Sequence, residues 1–211
     1  VITQVRDMVP GYHQGNVTHK LHDIDRDSHR KAYADSIVTY LCLALDRIAM
    51  TGNSLVRWNS VGEKAQHCFG RQALPMLWDF AEPNPFSNAT GSISAAVFYT
   101  YDPLNWFVSF KQGFASQLDA TNQEVSDHKI ISTDPPYYDN ICYADLSDMF
   151  YVWLRKSLLA IHPDLFSTIS TPKDNEIIAS PYRHKKKADA ESFFLENMKK
   201  AVKTIAFQFN K

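Results

Sequence analysis

Two consecutive prolines, Pro135 and Pro136, constrain this chain more than any other local feature. Each lacks a backbone N–H and fixes its own φ angle, so neither can continue a central strand. The residues before them, Lys129-Ile130-Ile131-Ser132-Thr133, are strand-like, and Val125–Thr133 is expected to form a buried strand that ends at the prolines. The chain must then leave the sheet as a stiff loop, Asp134-Pro135-Pro136-Tyr137, which runs on into Tyr138-Asp139-Asn140-Ile141. In open α/β sheets, ligands bind outside the carboxyl ends of strands, where this loop would lie. The loop carries an acidic acceptor (Asp134), carbonyls at Pro135 and Pro136, and the aromatic faces of Tyr137 and Tyr138.

Those groups suit the activation of an exocyclic amino group. Such a nitrogen is a poor nucleophile because its lone pair is delocalised into the ring. Two acceptors on its hydrogens draw it toward a tetrahedral shape and free the lone pair. Asp134 and the Pro135 carbonyl are candidates for those acceptors, and Tyr137 for a ring stacked on the base. Base–aromatic stacking is worth roughly 1–3 kcal/mol. A base inside a duplex is out of reach and has to be flipped out first.

At these residues the chain resembles the amino-directed DNA methyltransferases, whose catalytic tetrapeptide is Asp-Pro-Pro-Tyr. The longer stretch Asp134-Pro-Pro-Tyr-Tyr-Asp-Asn-Ile-Cys-Tyr-Ala-Asp-Leu-Ser-Asp-Met-Phe-Tyr-Val-Trp-Leu-Arg155 is similar to the large adenine-specific DNA methylases described as carrying a zinc ribbon. So are Phe69–Phe86, Ala34–Leu41 and Ala44–Arg47. The resemblance implies methyl transfer from S-adenosylmethionine to adenine N6 in double-stranded DNA with the base flipped. It implies catalytic roles for Asp134, Pro135, Pro136 and Tyr137, and pocket-shaping roles for Tyr138, Asp139 and Asn140. Cytosine N4, an RNA base or a protein glutamine are alternative acceptors. A non-catalytic DNA-binding or docking module is the alternative outside enzymes.

The cofactor half of such a site is not legible. Backbone must approach the methionine moiety closely at a glycine-rich turn after a strand. The chain has seven glycines and no GxG, so Asp134 is the one cofactor-pocket residue expected here. The chain also stops after a helix, where a βα-alternating sheet would add a strand. It is therefore expected to be a fragment that lacks the remainder of its own polypeptide and has little activity alone. The fold class expected is α/β: a partial Rossmann-like methyltransferase sheet behind a large, mostly helical region. The domains would be 1–122, an insertion or recognition layer, and 123–211, the catalytic part.

Composition sets further bounds. A net charge of −1 gives no global attraction to a polyanion. Locally, Arg183, His184, Lys185, Lys186 and Lys187 form a basic run, either a solvated loop or a phosphate contact. Cys42, Cys68 and Cys142 show no ligand spacing, so neither a zinc site nor a disulfide framework is expected. No apolar run reaches membrane-spanning length, and a cytoplasmic protein is the default expectation.

Periodicity places the other elements. The first 27 residues, where Asp23, Asp25 and Asp27 lie near His19, His22 and His29, suggest a polar loop leading to a helix cap, or metal ligands. Residues 29–50 read as a helix with Tyr33, Ile37, Tyr40, Leu41, Ala44, Leu45 and Ile48 on one face. Residues 54–87 suggest short helices at 63–69 and 72–80. There Trp58, Phe69, Trp78, Phe80 and Phe86 would form a packed layer or, alternatively, a base-stacking surface. Ser92–Tyr101 is ambiguous, and Pro103 is expected to open a helix reaching Leu118. Ala144–Ile161 is expected to be an amphipathic helix, His162–Lys187 a long mobile or closing connection, and Asp189–Phe209 a final helix.

Overall fold

The computed structural model describes residues 20–70, 73–106 and 114–209. In chain order the elements are helix α1 (Lys20–Thr51), strands β1 (Trp58–Asn59) and β2 (Lys64–Ala65), helix α2 (Ile93–Tyr101) and a 3-10 turn (Asp102–Trp106). Helices α3 (Tyr143–Leu158), α4 (Pro163–Phe166) and α5 (Lys187–Phe209) follow. The fold is therefore mixed, mainly helical with a small sheet. Among the described residues the sheet is one antiparallel pair, with Trp58 opposite Ala65 and Asn59 opposite Lys64. The chain divides into two compact units, Val1–Ser109 with Met149–Ile169 and Phe110–Asp148 with Ser170–Lys211.

The first unit is built around α1. The helix already runs from Lys20, so Asp27 and Ser28 lie inside it and do not cap it; Asp27 pairs with Arg30 at 3.2 Å. The acidic and histidine side chains before residue 26 lie outside the described ones. Gly52 ends the helix: its N–H donates to the Ile48 carbonyl at 2.7 Å, and an added Cβ would sit 3.1 Å from that oxygen. The helix buries Ala34, Val38, Cys42 and Ala44; Ala44 lies on the expected face, the other three fall one position round from it, and Tyr33 is 64% exposed. Val38 and Cys42 pack with Tyr151 and Leu158 of α3 and Phe166 of α4. Cys42 thus serves as a small core hydrophobe, and burial raises its thiol pKa.

Residues 58–65 form a hairpin and residues 73–80 are not helical, in place of the two short helices expected. Asn59 explains the first difference. Its side-chain oxygen accepts from Val61 N and Gly62 N at 3.1 Å each, a local turn that competes with a helix. Pro75 and its neighbours limit the second. The packed aromatic layer does not form either. Phe69 meets Phe150 at 5.6 Å, but Trp58 and Phe80 are exposed, Phe86 largely so and Trp78 fully. Ser92–Tyr101 resolves as helix because the Ser92 hydroxyl accepts from Ala95 N at 3.2 Å, an N-cap. Of the helix expected from Pro103 to Leu118, the described residues show a 3-10 turn at Asp102–Trp106 and no helix at 114–118, while 107–113 lie outside the described residues.

In the second unit the strand expected at Val125–Thr133 is absent: residues 125–128 turn, and Ile130 is completely exposed. Side chains capture this backbone instead. Val125 N donates to Gln123 Oε1 at 2.8 Å and Ser126 N to Gln208 Oε1 at 2.9 Å. His128 then takes a positive φ of 53°, which a regular strand does not tolerate. Helix α5 buries Ala190, Ala201 and Gln208, whereas Val202 is 58% exposed.

Candidate acceptor-binding loop

Asp134–Asn140 belongs to the second unit and carries no regular secondary structure beyond a turn at 138–140. Asp134 and Pro135 are exposed, Pro136 is half-buried, and Tyr137 is 57% exposed. Asp139 and Asn140 are also exposed. The diproline thus presents the carboxylate and the first tyrosine ring to solvent together. Tyr138 is held on the other side. Its carbonyl accepts from Ala179 N at 2.8 Å, and its ring meets Phe194 of α5 edge-on at 5.0 Å. Partial desolvation raises its phenol pKa, as do a hydrogen bond to Glu191 and the charges of Glu191 and Asp139. The two adjacent tyrosines therefore differ, one free to stack and one anchored.

The anchor comes from the connection after α4, which the sequence leaves as mobile or closing. Ile178, Ala179 and Ser180 are buried, so this stretch is a strap fixed within its unit. Two polar pins hold it to the first turns of α3. In the first, Asp148 accepts from Thr171 N at 2.9 Å, Thr171 Oγ1 at 2.6 Å and Lys173 Nζ at 2.7 Å. Partial burial pushes the Asp148 pKa up, but the lysine and threonine donors outweigh it and bring the value to about 2.

In the second pin, Arg183 Nη2 donates to Asp145 Oδ2 at 2.7 Å and Nη1 to the Lys173 carbonyl at 2.9 Å. Nη1 also lies 2.6 Å from Glu176 Oε2. The other Glu176 oxygen accepts from Ala144 N at 3.2 Å, so Glu176 supplies an acceptor at the N-terminus of α3. Ser147 donates back to the Tyr143 carbonyl at 2.6 Å.

These pins change the reading of the basic run. Arg183 is committed to carboxylates, the His184 ring lies 4.8 Å from Phe193, and Lys187 is 3.9 Å from Glu191. Lys185 and Lys186 are exposed. Glu176, Asp148, Thr171 and Ala179 were missed by sequence reasoning. Their partners lie tens of residues away, and no local pattern flags them.

The described glycines do not fit an S-adenosylmethionine cradle. Gly52 ends a helix, Gly62 lies in the hairpin turn, and Gly91 (φ 93°) faces Thr51 Oγ1. At Gly70 an added Cβ would meet only Arg57 Nε, at 3.9 Å. None forms a turn leading directly from a strand into a helix, as close approach to the methionine moiety requires, so no methyl-donor step is derived from these residues. No helix among the described residues is long and apolar enough to cross a membrane. No protein family, curated protein or solved structure matches the chain.

Proposed function

We propose that the chain supplies the acceptor side of an amino-directed methyltransferase, with Asp134–Tyr137 gripping the exocyclic NH₂ of an unstacked base. Adenine N6 in DNA is the first choice of acceptor, and S-adenosylmethionine is the methyl donor of such enzymes. The reading rests on the Asp-Pro-Pro-Tyr sequence together with one geometric observation. Asp134 and Tyr137 are both exposed, while Tyr138, the next residue and 39% exposed, is tied to Ala179 and Phe194. In this reading the Asp134 carboxylate and the Pro135 carbonyl accept the two N–H bonds, and Tyr137 covers the base. Tyr138, Asp139 and Asn140 shape the rim. A partial Rossmann-like sheet belongs to the same proposal.

The test uses a fluorescent single-stranded oligonucleotide carrying one adenine, and its N6,N6-dimethyladenine counterpart, which has no N–H to donate. Hydrogen bonds to a charged acceptor are worth about 1.5–3 kcal/mol, or roughly 10–100-fold in affinity. Adenine should bind that much more tightly than the dimethylated base, and Asp134→Ala should erase the difference. Equal binding of both oligonucleotides by the unaltered chain would refute the reading. Cytosine, RNA and glutamine-peptide probes rank the alternative acceptors. The lack of a glycine cradle among the described residues favours, as a second reading, a base-binding module without catalysis. Labelled-methyl transfer separates the two readings.

A further inference from the structure

The strap bearing Ala179 is closed on itself by an ion pair. Glu176 and Arg183 flank it in sequence and meet at 2.6 Å, while Arg183 also reaches Asp145 at 2.7 Å and the Lys173 carbonyl at 2.9 Å. Between these ends, Ile178 N donates to the Glu176 carbonyl at 2.9 Å and Arg183 N to the Ser180 carbonyl at 3.1 Å. Ala179 N is left to point outward to the Tyr138 carbonyl, at 2.8 Å. Tyr138 directly follows the Asp134–Tyr137 tetrapeptide, and Pro135 and Pro136 have fixed φ angles, which leaves few backbone rotations between Tyr138 and Asp134 to absorb a shift. The guanidinium fork engages three acceptors on two segments. An ammonium, a compact point charge, cannot reproduce that pattern.

We infer that Arg183, acting through Glu176 and the Ala179 hydrogen bond, is a positioning residue that sets the geometry of the Asp134–Tyr137 loop. The inference rests on the acceptor-loop reading above and adds its control point. It also removes Arg183 from the phosphate-contacting candidates in the basic run. A mutation there should change base discrimination and leave the salt dependence of binding alone.

The experiment pairs Arg183→Lys with Glu176→Gln, both near-isosteric, so that loss of fold in one leaves the other informative. Circular dichroism should show retained helix in these variants. Amide exchange at Ala179 and across 134–140 should speed up at least tenfold. The preference for adenine over N6,N6-dimethyladenine should fall at least fivefold, with the slope of binding against salt unchanged. A purely structural role would weaken both oligonucleotides equally, and that result would overturn the inference. So would unchanged amide protection in both variants. Asp134→Ala is run in parallel. If it leaves discrimination intact, the acceptor reading fails, whereas the exchange data still report on the clamp.

Discussion

The two compact units bury different materials. In the first, Val38, Cys42, Tyr151, Leu158 and Phe166 form an apolar cluster in which the main polar feature is the Tyr151 hydroxyl, 2.8 Å from the Thr168 carbonyl. In the second, Thr121, Gln123, Ser180 and Gln208 are buried beside Ile178, Ala179, Ala190 and Ala201. Hydrocarbon burial is non-directional, so the first unit needs shape and little else. Buried amides and hydroxyls need partners with defined geometry, so the second unit is specified by bonds such as Gln208 to Ser126 N and Thr204 to the Thr121 carbonyl. The loop carrying Asp134 belongs to the second of these units.

The largest test of this contrast is Phe166→Ala, which removes a ring that is 7% exposed and tilted on Tyr151 at 5.4 Å. It should cost about 3–5 kcal/mol in denaturant unfolding. A loss under about 1 kcal/mol would show that the first unit is not held by packing.

The next test is Asp46, in the first unit, where burial raises the carboxyl to about 6 and one oxygen has no hydrogen-bond partner. The folded state holds this proton more tightly than the unfolded chain. The stability this gives is complete below pH ~4 and is lost as pH rises through about 6. Asp46→Asn should therefore stabilise the protein at pH 8 and have no effect at pH 4. The gain at pH 8 should be about 1–2 kcal/mol once partial exposure is discounted. An equal effect at both pH values would remove the carboxylate as the cause.

Asp148, in the second unit, has the opposite sign. Its lowered pKa stabilises the fold fully above pH ~4, and that contribution disappears as pH falls through about 2. Because the pair with Lys173 is partly solvated, Asp148→Asn should cost only about 1 kcal/mol at pH 7, and progressively less as pH falls through about 2. Thermal melts across this range would read both slopes. The same slope for Asp46 and Asp148 would sink the distinction between the units.

Legibility in the sequence followed the range of the interactions involved. The helices expected at residues 29–50, 144–161 and 189–209 were readable from periodicity, although the first begins nine residues earlier, at Lys20, and the second ends at Leu158. Which stripe of each faces inward was less readable: Val38 and Cys42 replace Tyr33 and Tyr40, and Gln208 is buried where Val202 is exposed. The strand at 125–133 was misread because its apolar, β-branched residues match a sheet, while Gln123, two residues before Val125, and the distant Gln208 supply competing bonds. The aromatic run at 58–86 was misread because aromatic content suggests burial, whereas Asn59 and the prolines fix a turn-rich path. The stiff loop at Asp134–Tyr137 was legible at once, and the clamp behind it was not.

The sequence by itself determined what covalent restriction and local period dictate: long helices, breaks at the prolines, and fixed φ angles at Pro135 and Pro136, between Asp134 and Tyr137. Tertiary structure alone decided that Glu176 caps α3, that Arg183 is used as a pin, and that Ala179 holds the Tyr138 carbonyl. A proline limits φ wherever it stands. An arginine can pair with either of two carboxylates, or with neither, until the chain has closed and brought one within reach.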